Sequence, residues 1–98
     1  MKTRFLDAAE LELEEAIRHY DNIRPELGAD FRREVNQALD RIEQMPLAWS
    51  RLRKDIRICR THRFPYGLVY QIREDHALVI AVMHLHRRPG YWRKRIQA

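Results

Sequence analysis

The residues of this chain best suited to chemistry lie in its second half: Arg57, Arg60, His62 and Arg63, then His84, His86, Arg87, Arg88, Tyr91 and Arg93. Gathered around a phosphodiester, such a set could cleave RNA without a metal. A general base would take the 2′-hydroxyl proton, arginine would neutralise the pentacoordinate phosphate, and a general acid would protonate the leaving 5′-oxygen. Histidine suits either proton role, because its ordinary pKa near ~6.5 leaves both forms accessible at neutral pH. The same residues also have structural roles open to them. His84 ends an apolar run and can simply hydrogen-bond the backbone, while Tyr91 and Trp92 can fold back to plug a sheet. His84 and His86 are two apart and would share one strand face, but no third ligand is near in sequence, so neither a metal nor another cofactor is expected. His19 and His76 read as surface residues.

The elements that must position these groups follow from periodicity. Residues 2–6 alternate weakly and make a short first strand, and Asp7 with Glu10 reads as a capping pair for a helix. Ala9, Leu13, Ala16, Ile17, Tyr20 and Ile23 keep the three-and-four spacing of a one-sided helix, with Glu10, Glu14, Glu15 and Arg18 on its solvated face. Pro25 and Gly28 punctuate the chain. A second helical stripe runs through Phe31, Val35, Ala38, Leu39 and Ile42 to near Met45, and the short connection makes the pair antiparallel. Beyond Trp49 the period changes to two. Ile56 and Ile58 alternate against Arg57 and Cys59, Phe64-Pro65-Tyr66-Gly67 forms a turn or bulge, and Leu68, Tyr70 and Ile72 alternate against Val69, Gln71 and Arg73. The run Ala77 to Met83 is apolar throughout, which places it centrally, buried on both faces. The order β-α-α-β-β-β predicts an α+β fold: an antiparallel helix hairpin on a small, mainly antiparallel twisted sheet, in a single domain spanning residues 1–98.

Charge divides the chain. Residues 1–50 carry seven Lys+Arg against eleven Asp+Glu, net −4, and residues 51–98 carry twelve against three, net +9. Sixteen of the nineteen basic residues are Arg, whose forked donors suit phosphate or carboxylate, although a GC-rich genome also enriches arginine. An anionic partner follows, either nucleic acid or an acidic protein segment. A DNA-reading helix-turn-helix is disfavoured, because the helical half carries most of the acid. Cys59 is the one cysteine, so the chain forms no internal disulfide. With no signal-like N-terminus and an apolar run of seven residues against the ~20 needed to span a bilayer, a cytoplasmic protein without membrane contact is expected.

Two amphipathic helices, then Phe64-Pro65-Tyr66-Gly67-Leu68-Val69-Tyr70, then a strand ending Val82-Met83-His84-Leu85-His86-Arg87-Arg88-Pro89-Gly90-Tyr91-Trp92-Arg93 resemble the RelE/ParE superfamily over essentially the whole chain. These are toxins of type II toxin–antitoxin modules, sometimes described as plasmid stabilisation proteins. The resemblance implies a growth-inhibiting toxin, neutralised by a cognate antitoxin that wraps it in a hetero-oligomer. The RelE-like branch is an mRNA interferase that cuts in the ribosomal A site. For that role the resemblance nominates Arg57 and Arg60 on the middle strands, Arg87 or Arg88 past the last strand and Tyr91, with His84 and His86 as added proton-transfer candidates. The arginine that branch carries after the turn is Gly67 here, unless Arg63 or Arg73 substitutes. The ParE-like branch poisons DNA gyrase and needs only a binding surface. The ending seen as His84, Arg87, Pro89, Tyr91 and Trp92 is closer to that branch, so His84, Arg87, Arg88, Tyr91, Trp92 and Arg93 are expected to meet target or antitoxin. A third possibility is a family member that keeps antitoxin binding alone.

Overall fold

The computed structural model describes residues 1–96. Strand β1 (Lys2–Phe5) leads into helix α1 (Asp7–Ile23) and helix α2 (Leu27–Gln44); β2 (Ser50–Arg51), β3 (Ile56–Arg60), β4 (Tyr66–Ile72) and β5 (His76–His84) follow, and a short 3-10 turn closes the tail at Arg93–Arg95. The sheet order is β1-β5-β4-β3-β2. All neighbours are antiparallel except β1, which lies parallel to β5. The expected α+β fold is thus present, with one strand more than the periodicity showed: β2 is two residues long, too short to leave an alternating signal. The fully apolar run is an interior strand, flanked by β1 and β4, with β4 at the middle of the sheet.

Two local expectations change. Asp7 is not a cap: it is the first helical residue, Leu6 holds the cap position without a side-chain bond, and Asp7 and Glu10 sit in the first turn, where their charges complement the helix dipole. Gly28 does not break the chain but lies inside the first turn of α2. Its N–H donates to Asp21 Oδ1 at 2.9 Å, so a side chain of α1 caps α2. A Cβ at Gly28 would lie 2.3 Å from that oxygen, which explains a glycine in a helix.

The sheet has two different faces. Against the helices lie Cys59, Leu68, Tyr70, Ala77, Val79 and Val82, packed with Ala9, Ala16, Phe31, Val35, Ala38 and Ile42. On the other face Ile56, Ile58, Val69, Ile80 and Ala81 are closed over by Trp92, with Leu85, Tyr91 and Ile96 beside it. Trp92 is 3% exposed, so the tail folds back and plugs the sheet. The β4–β5 register slips by one between the pairs Val69↔Ala81 and Tyr70↔Val79, which leaves Ile80 as an extra residue. Side chains on β5 therefore alternate 77, 79 and then 82, 84 on the helix side. Without the bulge His84 would face the other way.

Candidate functional site

The positively charged tail is organised by one acid. Glu12 sits three residues after Ala9 and four before Ala16, both buried, so helical spacing sets it beside the apolar stripe of α1. Its carboxylate accepts both Arg95 Nη1 at 2.8 Å and Nη2 at 2.9 Å, the two-point geometry that arginine favours. It also accepts the Tyr91 hydroxyl at 2.7 Å, Arg87 Nη1 at 3.4 Å and the Val82 N–H at 3.0 Å. Arg95 Nη1 donates in turn to the Ile80 carbonyl at 3.0 Å. These last two bonds have a backbone purpose. β1 pairs with β5 only as far as Phe5↔Val79, and beyond that point β5 has no neighbour strand on this side among the described residues. Glu12 and Arg95 take up the N–H and C=O that a longer β1 would have bonded.

Tyr91 is boxed in as well as hydrogen-bonded. The Arg87 guanidinium lies 3.8 Å from its ring centroid and that of Arg95 5.2 Å away. Burial first, then the hydrogen bond to Glu12, push the phenol well above its ordinary pKa. Arg95's own hydrogen bonds to Glu12 raise its pKa and hold it charged. Tyr91 is therefore a neutral donor committed to an internal acceptor.

The bulge brings His84 to the helix side, where it lines a groove of about 240 Å³ with Glu12, Glu15, Ala16, His19, Tyr66, Val82 and Arg87. Its ring meets Tyr66 edge-on at 5.1 Å and His86 at 5.1 Å, and its Nδ1 accepts the His86 N–H at 3.1 Å. His86, Arg87, Arg88 and Arg93 are exposed, whereas Trp92 is core.

The strand arginines lie elsewhere. Arg57 Nη1 donates to the Trp49 carbonyl at 2.8 Å, which ties β3 to the loop after α2. Its buried Nε has no hydrogen-bond partner among the described residues. Arg60, three positions on, falls on the opposite side of the strand and is exposed. β4 separates β3 from β5, so Arg57 and Arg60 stand two strands from His84. The structure brings Arg87, Tyr91 and His84 together around α1 and leaves Arg57 and Arg60 apart from them and from each other. His76 is more covered than a surface residue, its side chain 17% exposed and its Nδ1 2.7 Å from Asp75 Oδ1.

The glycine after the turn also has a physical reason. Gly67 pairs with Arg60 and Met83, and a Cβ there would lie 2.6 Å from Ile58 Cδ1. An arginine at this position would have to displace the tail-side core. Neither nominated substitute fills the gap: Arg63 stacks on Phe64 and lies 3.6 Å from Asp30, and Arg73, past the end of β4, bonds Gln71.

Glu12 escaped the sequence reading, which attended to Glu10, Glu14, Glu15 and Arg18 on the outer face. The signal that could have found it is a carboxylate beside the buried stripe of a helix, which requires a cationic partner from elsewhere. Among the described residues no group of three or more His, Cys, Asp or Glu could hold a metal ion, and no helix is long and apolar enough to cross a membrane. Cys59 is buried, and burial raises its thiol pKa, so it is not poised as a nucleophile.

Comparison with known proteins agrees with this architecture. A solved structure described as the chromosomal ParDE TA system from P. aeruginosa superposes with a TM-score of 0.70, covering 88% of this chain and 97% of that one. At 12% identity the likeness is one of fold. No curated protein matches the sequence. The family described as the ParE toxin of the type II toxin-antitoxin system, parDE, matches residues 3–89. By that match over most of its length, with the fold to go with it, the chain belongs to the ParE toxin family, the toxin half of a type II toxin–antitoxin pair.

Proposed function

We propose that this toxin arrests growth by binding DNA gyrase through its surface, and that it does not cut mRNA. The observation that carries this reading is the engagement of Tyr91 and Arg87 by Glu12. A ribonuclease needs a proton donor and a phosphate-binding arginine free to meet substrate. Here the phenol donates inward and Arg87 lies across its ring, with Arg57 and Arg60 on opposite sides of a strand remote from both. What remains free is a binding surface: His86, Arg88 and Arg93, exposed around the plugged sheet. The antitoxin of the pair would cover part of that surface and neutralise the toxin. Ordering a wrapping segment costs about 2–5 kcal/mol of the gross interaction, so a large contact is needed.

The test is induction of the chain in growing cells, with purified gyrase assayed for supercoiling and trapped cleavage complexes and cellular mRNA mapped for new 5′ ends. Gyrase adducts without A-site cuts are expected. In-frame A-site cuts that vanish in Arg87→Ala protein would overturn the proposal in favour of a RelE-like ribonuclease. Induction without growth arrest would leave antitoxin binding as the remaining role.

A further inference from the structure

The sheet face turned away from the helices carries two neighbouring hollows, of about 310 and 240 Å³. Both are bounded by Arg53, from the turn between β2 and β3, and by Arg93, from the tail. Lys54 and Asp55 flank the first, the Asp55 carboxylate accepting from Gln71 Nε2 at 3.2 Å, and Leu52 and Met83 line the second. Arg88 and Lys94 stand exposed on the tail segment. None of these five cations takes an ion pair among the described residues. The acids that do, Glu12, Asp30 and Asp75, serve Arg87, Arg95, Arg33, Arg63 and His76. Arg51, opposite Arg57 and so on the helix side of its strand, donates from Nε to the Lys54 carbonyl at 3.0 Å, fixing the turn that presents Arg53 and Lys54.

We infer that this face docks the sugar–phosphate backbone of duplex DNA. Five cations against one carboxylate, Asp55, on two segments flanking a shallow depression match a dense polyanion, and duplex DNA carries one charge per ~1.7 Å of axis. The rings on this side argue against a single strand. Unpaired bases bind by stacking on exposed aromatics, yet Trp92 is 3% exposed and Tyr91 is turned into the Glu12 site. The molecule is also polarised, with the acidic helical half on the far side of the sheet, so a long polyanion would turn the tail face towards itself. This inference stands whether or not gyrase is the target, because it concerns the toxin alone.

It is tested by fluorescence anisotropy of the isolated full chain with a labelled 20-base-pair duplex of mixed sequence, between 50 and 200 mM salt. The wild type is expected to bind at 50 mM salt and to weaken steeply as salt rises. An Arg53→Ala/Lys54→Ala/Arg93→Ala variant should bind at least ~10-fold more weakly, with a salt slope shallower by about 2.7, roughly 0.9 for each lost phosphate contact. Circular dichroism would check that it stays folded, and Arg33→Ala, on the helix side, should bind like wild type. An unchanged slope in the triple variant would overturn the inference, as would absence of wild-type binding. Tighter binding of a single strand, or of an acidic peptide of equal charge, would overturn it too.

Discussion

The two faces of the sheet are closed in different ways. On one side two helices of 17 and 18 residues bury a continuous core, including a ring cluster in which Phe31 lies 5.2 Å from Tyr20, 5.2 Å from Phe64 and 4.8 Å from Tyr66. On the other a dozen tail residues close the face, with Trp92 as the one buried anchor among the described tail residues and the Glu12 ion pair as the fastening. The helix side is thick and apolar, and its loss is loss of the fold. The tail side is thin and held by a polar clasp, and its rim carries the free cations. A lid of that kind can be worn by a binding surface without putting the core at risk.

The sharpest way to break this contrast is to open each face at its centre. Phe31→Ala should cost about 4 kcal/mol, as for a fully enclosed aromatic, and lower the thermal midpoint of the whole chain in one cooperative step. Trp92→Ala should cost less, about 2 kcal/mol, below the usual ~3–5 for an enclosed tryptophan, because the tail can swing away and let water in. Amide hydrogen exchange would tell the two apart. Tail amides should lose protection in Trp92→Ala while α1 and α2 keep theirs, and equal loss in both helices would mean that the faces are one cooperative unit.

The clasp comes next in size. Glu12→Gln keeps an acceptor for Tyr91 and Val82 but removes the charge that holds Arg95. Breaking a fully buried pair costs about 3–5 kcal/mol. Arg95 is 22% and Arg87 55% exposed, so solvent screens part of that and about 1–2 kcal/mol is expected. Denaturant melts would measure it.

The most gradual effect is in alkali, near zero at pH ~10 and growing only with pH, and it samples both faces. Burial pushes Tyr70, whose hydroxyl bonds the Pro46 carbonyl on the helix side, up to about 12, and Tyr91 on the tail side is raised as well. The folded state keeps these protons to higher pH than the unfolded state, whose tyrosines release theirs near ~10. Stability is therefore full below pH ~10 and falls as pH rises through about 12, at no more than ~1.4 kcal/mol per pH unit for each tyrosine. Tyr70→Phe should flatten that fall in denaturant midpoints measured from pH 9 to 11, and an unchanged fall would mean that Tyr70 keeps no proton advantage in the folded chain.

Much of this architecture was legible in the chain because its signals are local. The stripes of α1 and α2 follow from 3.6-residue periodicity, and a run apolar at every position is the mark of a strand covered on both sides. Trp92 as a plug was among the open readings, since a tryptophan beside an exposed sheet face has few better places to go. The candidate site was less legible. His84, Arg87 and Tyr91 stood out by type, but their company did not, because Glu12 is 70 residues or more from the groups it binds and sits in a run of glutamates that look alike in sequence.

By itself, then, the sequence settled the two helices with their apolar stripes and four of the five strands, since helix and strand periodicity act over a few residues. It also carried the family pattern. Only the tertiary structure decided which polar groups meet. The extra residue at Ile80 turns His84 to the helix side, and the early end of β1 exposes an edge that Glu12 and Arg95 must satisfy. Both arise from strand register, where a shift of one residue exchanges the two faces of the sheet. That register, set by packing across the whole sheet, turns Tyr91 inward as a fastener and leaves Arg53 and Arg93 outside as a rim.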